Sequence, residues 1–211
     1  LFILTKRIWL DFPEFMPIFA KKSYSYGNIR QKNRNPLISS DYIGAIGMKT
    51  GYTEAGGYGV VGTAARGNRR LIAITNGNKT KQKRAKIIKS LLDYGFDRFK
   101  KITIFNEEDV VAAADVWLGK KNKVNLITKE QIAITIPKYH KIDEIELFVK
   151  YKQPLTPILV KGEKLGELIV KFSGEEILTS SVFAGEDIGH AGYFTKLHKI
   201  ISYRINNFLK K

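Results

Sequence analysis

The run Tyr42-Ile43-Gly44-Ala45-Ile46-Gly47-Met48-Lys49-Thr50-Gly51 decides how the first half of this chain folds. It is apolar and strand-like, and it ends in a cation, a hydroxyl and a bare backbone. A second run, Tyr58-Gly59-Val60-Val61-Gly62-Thr63-Ala64-Ala65, follows a Gly-rich connection. A third, Arg70-Leu71-Ile72-Ala73-Ile74-Thr75, follows Arg66-Gly67-Asn68. The spacing predicts a meander of antiparallel hairpins with Lys49-Thr50-Gly51 on its first strand.

Upstream of it, Leu4, Ile8 and Leu10 predict a helix that breaks into an irregular connection at Pro13 and Pro17. Phe19 to Tyr26 alternates loosely and ends at Gly27-Asn28, which predicts a short strand and turn. Ile29 to Leu37 is polar, and Pro36 disfavours helix at Asn35, so an ordered loop is expected there. Downstream, Ala85, Ile88, Leu91, Leu92 and Phe96 recur at helical spacing between Lys79 and Phe99. Lys81, Lys83, Lys86 and Lys89 fall mostly on its other faces, so the expectation is a helix packed on the sheet with a solvated basic side. Gly95 reads as its C-terminal cap.

From Ile102 the texture changes to short alternating runs: Val116-Trp117-Leu118, Val124 to Ile127, Ile132 to Ile136, Ile145 to Val149 and Glu167 to Val170. Turn residues separate them, which predicts a small all-β module. His140, His190 and His198 lie far apart without companion ligands, and no metal site is expected. The tail from Gly189 to Lys211 gathers Phe194, Leu197, Ile201, Ile205 and Phe208 on one narrow helical arc, opposite Lys196, Lys199 and Lys210. A terminal helix of this kind suits a membrane interface, the other reading being docking on the protein's own sheet.

A chain of 211 residues, 44% of them hydrophobic, buries a real core, and disorder throughout is excluded. Its formal net charge of +16 admits nucleic acid, an anionic membrane or an acidic wall polymer as partners. No recognised nucleic-acid motif or patterned set of stacking aromatics supports the first of these. The absence of cysteine removes disulfides and thiolate metal sites. Leu1-Phe2-Ile3-Leu4 is too short for a signal-peptide core, and the chain reads as beginning mid-domain, with any signal upstream.

Read together, Asn33-Arg34-Asn35, Gly47-Met48-Lys49-Thr50-Gly51-Tyr52-Thr53, Ala55-Gly56-Gly57-Tyr58, Arg70-Leu71-Ile72-Ala73 and Lys83-Arg84 resemble the D-alanyl-D-alanine carboxypeptidases. These are the low-molecular-mass penicillin-binding proteins of the serine peptidase type. Asp115-Val116-Trp117-Leu118-Gly119 and Thr135-Ile136-Pro137 resemble that family's β-rich C-terminal domain, and the last helix resembles its membrane anchor. The resemblance implies an α+β fold: an antiparallel sheet with packing helices, forming an incomplete transpeptidase-like domain over 1–100. A β-rich domain over 101–188 and an anchor helix over 189–211 would follow.

The implied chemistry is acyl transfer, in which a serine attacks the bond between terminal D-alanines and water hydrolyses the acyl-enzyme. Of the three family motifs only the last is here. Ser-x-x-Lys and Ser-x-Asn have no counterpart, and Ser39-Ser40-Asp41 lies too close to the triplet to be either. The family's triplet maps onto Lys49, Thr50 and Gly51. The lysine would hold the substrate carboxylate, the threonine would donate to it, and the glycine would let the substrate backbone approach. The oxyanion amide would be that of Tyr52. Arg34 and Arg84 match family arginines near the carboxylate, against a loop ion pair for Arg34 and a surface helix charge for Arg84.

Cofactors are not implied. The implied partners are peptidoglycan pentapeptide, β-lactams, a membrane surface and a separate N-terminal half, on the extracytoplasmic (periplasmic) face of a bacterial inner membrane if the protein is exported. A non-catalytic remnant bound to wall or membrane is the competing reading.

Overall fold

The Lys-Thr-Gly strand is an edge. In the computed structural model, which describes residues 1–208, β3 (Ala45–Thr53), β4 (Gly57–Arg66) and β5 (Arg69–Asn78) form an antiparallel sheet in that order. The triplet sits in the middle of β3 rather than at its end, with Lys49 opposite Val61, Thr50 opposite Val60 and Gly51 opposite Gly59. The chain divides into two compact units, Leu1–Lys100 and Lys101–Lys211.

In the first unit the sheet is covered on both faces. Val60 and Ala64 pack with Leu37 and with Ile88, Leu92 and Phe96 of α4 (Lys81–Arg98). Met48 and Val61 pack with Trp9 of α1 (Phe2–Asp11) and Met16 of α2 (Met16–Phe19). Fully buried residues such as Leu37, Ile88 and Leu92 each contribute about 2 kcal/mol through burial. Helix α4 starts at Thr80, whose hydroxyl accepts from the Lys83 amide at 3.1 Å.

Several expectations need correction. Helix α1 buries Thr5 and Trp9, while Leu4 and Leu10 are exposed. The Pro-containing stretch after it is not irregular. It forms a 3-10 turn over Pro13–Phe15 and then α2, with each proline in the first turn, where its missing N–H costs no bond. Ile29 to Lys32 is a strand: β1 (Ser23–Tyr26) and β2 (Ile29–Lys32) make a hairpin through Gly27-Asn28, hidden by its lack of an apolar side. Gly95 is no cap. It lies inside α4, where a Cβ would come within 2.7 Å of Leu71 Cδ1, so its role is close helix–sheet approach. On α4 the inward ridge is Arg84, Ile88, Leu92 and Phe96, and Leu91 is exposed.

Next comes α3 (Pro36–Ser39), capped by Asn35, whose side-chain oxygen accepts from the Leu37 amide at 3.0 Å. The second unit carries β6 (Phe99–Phe105) paired with β9 (Ile132–Pro137). Beside them is a five-stranded sheet in the order β10 (Ile145–Tyr151), β11 (Lys164–Phe172), β12 (Glu175–Ala184), β8 (Lys123–Ile127), β7 (Val110–Asp115). Val124, Leu126, Ile134, Ile136, Leu168, Val170 and Val182 fill its core. Val116-Trp117-Leu118 is not a strand: Val116 makes a single β-bridge to Leu155 after β7, and Trp117-Leu118 is a turn. The real strand there, Val-Val-Ala-Ala-Ala-Asp, is rich in alanine, which has weak strand preference. Helix α5 (Tyr193–Phe208) closes the described chain, and Lys210 lies outside the described residues.

Candidate active-site wall

The positioning of the triplet begins upstream, at two asparagines. Asn33 donates through Nδ2 to the carbonyls of Phe19 and Lys21, at 3.0 and 2.9 Å, and its Oδ1 accepts from the Asn35 amide at 2.9 Å. Asn35 is buried and caps α3. Both asparagines therefore serve the backbone, and the residue between them, Arg34, is left exposed. Its side chain lines an open cleft of ≈ 840 Å³ together with Met48, Lys49 and Thr50.

On β3 the Lys49 side chain is exposed, and its Nζ donates to the Thr50 carbonyl at 2.5 Å. No carboxylate among the described residues pairs with it. Its ammonium therefore holds one charge-assisted bond to a neutral carbonyl and carries an uncompensated positive charge at the cleft. Nothing lies within 4 Å of where a Gly51 Cβ would stand, so the face of the strand is open there. Beyond β3 no strand pairs with this edge among the described residues, which leaves its N–H and C=O groups exposed to a ligand backbone.

Tyr52 and Arg84 do not line that cleft. Tyr52 stacks on its cross-strand partner Tyr58, with ring centroids 4.3 Å apart. The Arg84 guanidinium lies 5.8 Å from the centre of the Tyr58 ring. Arg84 is only 7% exposed and donates through Nη2 to the Arg34 carbonyl at 3.3 Å. The alternative of a surface helix charge is thus wrong: Arg84 is a buried tie between α4 and the Asn-Arg-Asn loop. Its pKa is lowered by burial, opposed by the Tyr58 phenol, and its Nε has no hydrogen-bond partner. Tyr58 joins Tyr52 to Arg84; the sequence marks it as the end of the Ala55-Gly56-Gly57-Tyr58 motif, and the Tyr52–Tyr58 register is what reveals the link.

A second polar set holds the start of β3 to α4. The Tyr42 hydroxyl donates to Asp93 at 2.7 Å, and Arg66 lies 3.5 Å from the same carboxylate oxygen. Burial first, then the Asp93 bond, raises the Tyr42 pKa.

Residues 1–80 match the family described as D-alanyl-D-alanine carboxypeptidase, and residues 99–190 match the C-terminal domain of penicillin-binding protein 5. The D-alanyl-D-alanine carboxypeptidase DacC of Escherichia coli is 30% identical over 206 residues, covering 98% of this chain and 52% of the relative. The chain belongs to the D-alanyl-D-alanine carboxypeptidase family. DacF of Bacillus subtilis, of the same family, is 33% identical over 167 residues, which are 79% of this chain and 43% of that one. The crystal structure of penicillin-binding protein 5 from Haemophilus influenzae superposes with a TM-score of 0.80 at 31% identity, covering 89% of this chain and 55% of that one. The chain spans about half the length of the curated relatives it matches.

Outside the triplet region, His140 Nδ1 lies 2.7 Å from Glu144, and the Ser173 hydroxyl donates to the same carboxylate oxygen at 2.8 Å. These bonds and the Lys141 amide hold the Glu144 pKa down to about 2. The arrangement tethers a loop, with the imidazole and the serine hydroxyl meeting at one carboxylate oxygen. Among the described residues no group of three or more His, Asp or Glu could hold a metal ion. On α5, Phe194, Leu197, Ile201 and Ile205 are exposed, Phe194 by 84%, whereas Lys196 and Lys199 are half-buried and Lys199 donates to the Gly119 carbonyl at 3.0 Å. The helix thus turns lysines inward and apolar residues outward. The side chain of Phe208 lies outside the described residues. No helix among the described residues is long and apolar enough to cross a membrane.

Proposed function

We propose that this chain supplies the substrate-carboxylate wall of a serine-type D-Ala-D-Ala carboxypeptidase acting on peptidoglycan stem peptides. The observation that carries the reading is Lys49-Thr50-Gly51 on the open edge of β3, beside a cleft that Arg34 also lines. The Lys49 ammonium and Thr50 hydroxyl bind the terminal carboxylate, and the extended substrate backbone lies along β3 where Gly51 leaves space. The Tyr52 amide faces the carbonyl that becomes an oxyanion. Arg34 adds positive potential at the carboxylate, and Arg84 positions Arg34 through its carbonyl. β-Lactams occupy the same wall as substrate mimics.

The attacking serine and its base come from a Ser-x-x-Lys segment, in the same polypeptide or in another. None of the nine serines in these 211 residues begins that motif. In this reading residues 1–100 carry the half-site and 101–188 form a supporting β domain. The segment 189–211 is the anchor, and the exposed apolar arc of α5 within it lies in the interface of a membrane whose extracytoplasmic face the protein occupies.

Release of D-alanine from an acetylated peptide ending in D-Ala-D-Ala tests this. The chain alone releases none. Joined to the Ser-x-x-Lys segment of a relative it turns the peptide over, and Lys49→Ala lowers that turnover by about a hundredfold or more. A folded joined protein that is inactive, or insensitive to Lys49→Ala, overturns the reading and leaves a wall- or membrane-bound remnant in its place.

A further inference from the structure

The cleft beside the triplet carries more positive charge than one carboxylate needs. Lys21, Lys32, Arg34 and Lys49 all line it, and no acidic residue does. Lys49 rests on a carbonyl, but the side chains of Lys21, Lys32 and Arg34 have neither ion pair nor hydrogen bond to any described residue. The nearby Lys22 does find a carboxylate, on Asp41, so the stretch is not simply a lysine-rich surface without acidic neighbours.

The hairpin that brings Lys32 there has an unusual surface. Register places Tyr24 opposite Gln31 and Tyr26 opposite Ile29, and all four line the cleft. Tyr26 is 81% exposed and Ile29 66%. A two-stranded hairpin without a packed face is marginal alone. This one is fastened at its base by Asn33, through the Phe19 and Lys21 carbonyls and the Asn33 amide on Lys22. An anchored hairpin that turns aromatic and amide groups towards a cationic trough fits an extended peptide with apolar stretches and a second negative charge.

We infer that Lys21 and Lys32 read a second carboxylate on the peptide, upstream of the terminal one held at Lys49, with Tyr24 and Tyr26 flanking the chain between the two charges. The inference rests on the proposed function and deepens it. It makes the preferred substrate an acidic peptide, and it assigns β1–β2 as the element that sets specificity. No bond is made or broken at this subsite.

The test is a two-dimensional NMR titration of the isotope-labelled chain with two acetylated peptides, Glu-Ala-D-Ala-D-Ala and Gln-Ala-D-Ala-D-Ala. The acid peptide binds about tenfold tighter than the amide, and the gap narrows as salt is raised. Lys32→Gln and Lys21→Gln, both changes at exposed positions, each bring the acid-to-amide ratio towards one. Equal affinity for the two peptides overturns the second subsite while leaving the carboxylate wall intact, and so does a ratio that survives both substitutions. If neither peptide perturbs Lys49, Thr50 or Gly51, the carboxypeptidase reading fails, and this inference with it.

Discussion

A guanidinium as buried as that of Arg84 is costly unless its N–H groups are used, and here one serves the Arg34 carbonyl while the cation faces the Tyr58 ring. Arg84→Ala strands that carbonyl and removes packing against Tyr58. We expect a loss of about 1–3 kcal/mol in urea unfolding, where a surface charge would give about 0.5 or less. Gly44 is a second decisive residue. Its φ is +78°, and a Cβ would fall 2.0 Å from the Ala65 carbonyl oxygen, an atom of the backbone that cannot step aside. Gly44→Ala therefore destabilises the first unit by more than about 2 kcal/mol, measured the same way. At this scale the motifs were legible as neighbours: Lys49, Thr50 and Arg34, which the motifs single out, line one cleft, and Gly51 follows them on β3. Arg84 could be named but not placed, because a charged residue at the start of a helix looks solvated until the loop that covers it is known.

Among the elements, legibility followed hydrophobic pattern. The strands β3, β4 and β5 and the helix α4 were readable because their apolar residues repeat at the period of the structure. The hairpin β1–β2 was half-missed because both of its faces are polar or exposed, and β7 because its alanines carry little strand preference. Helix α5 was readable as amphipathic, but only the structure gives its direction, with Lys199 turned to Gly119 and the apolar arc outward. Phe194→Glu and Ile201→Glu should each weaken binding to anionic vesicles on the order of tenfold in a sedimentation assay. Unchanged binding would assign the exposed arc to another partner.

The loop held by Glu144 gives a pH test. Its carboxylate pKa is depressed in the folded state, so its contribution to stability is present above the ordinary glutamate pKa of about 4.3 and is lost as pH falls through about 2. Melting of the second unit should fall across that window. Ser173→Ala, which removes the largest cause of the depression, should flatten the fall.

For the molecule as a whole, the division of labour follows from what each unit contains. The first holds the triplet, the cleft and the cationic hairpin. The second holds a β core with α5. The family was legible in the sequence because its short motifs stand in order along the chain. The arrangement around the triplet was not, since edge position, the Tyr52–Tyr58–Arg84 column and the unpaired cations all depend on pairing between distant residues. Fluorescent penicillin tests the central claim most directly. The account predicts no covalent adduct on this chain alone, and labelling of the Ser-x-x-Lys serine once the chain is joined to that segment, slowed about a hundredfold or more by Lys49→Ala. An adduct on the chain alone, or joined-protein labelling indifferent to Lys49, would contradict it.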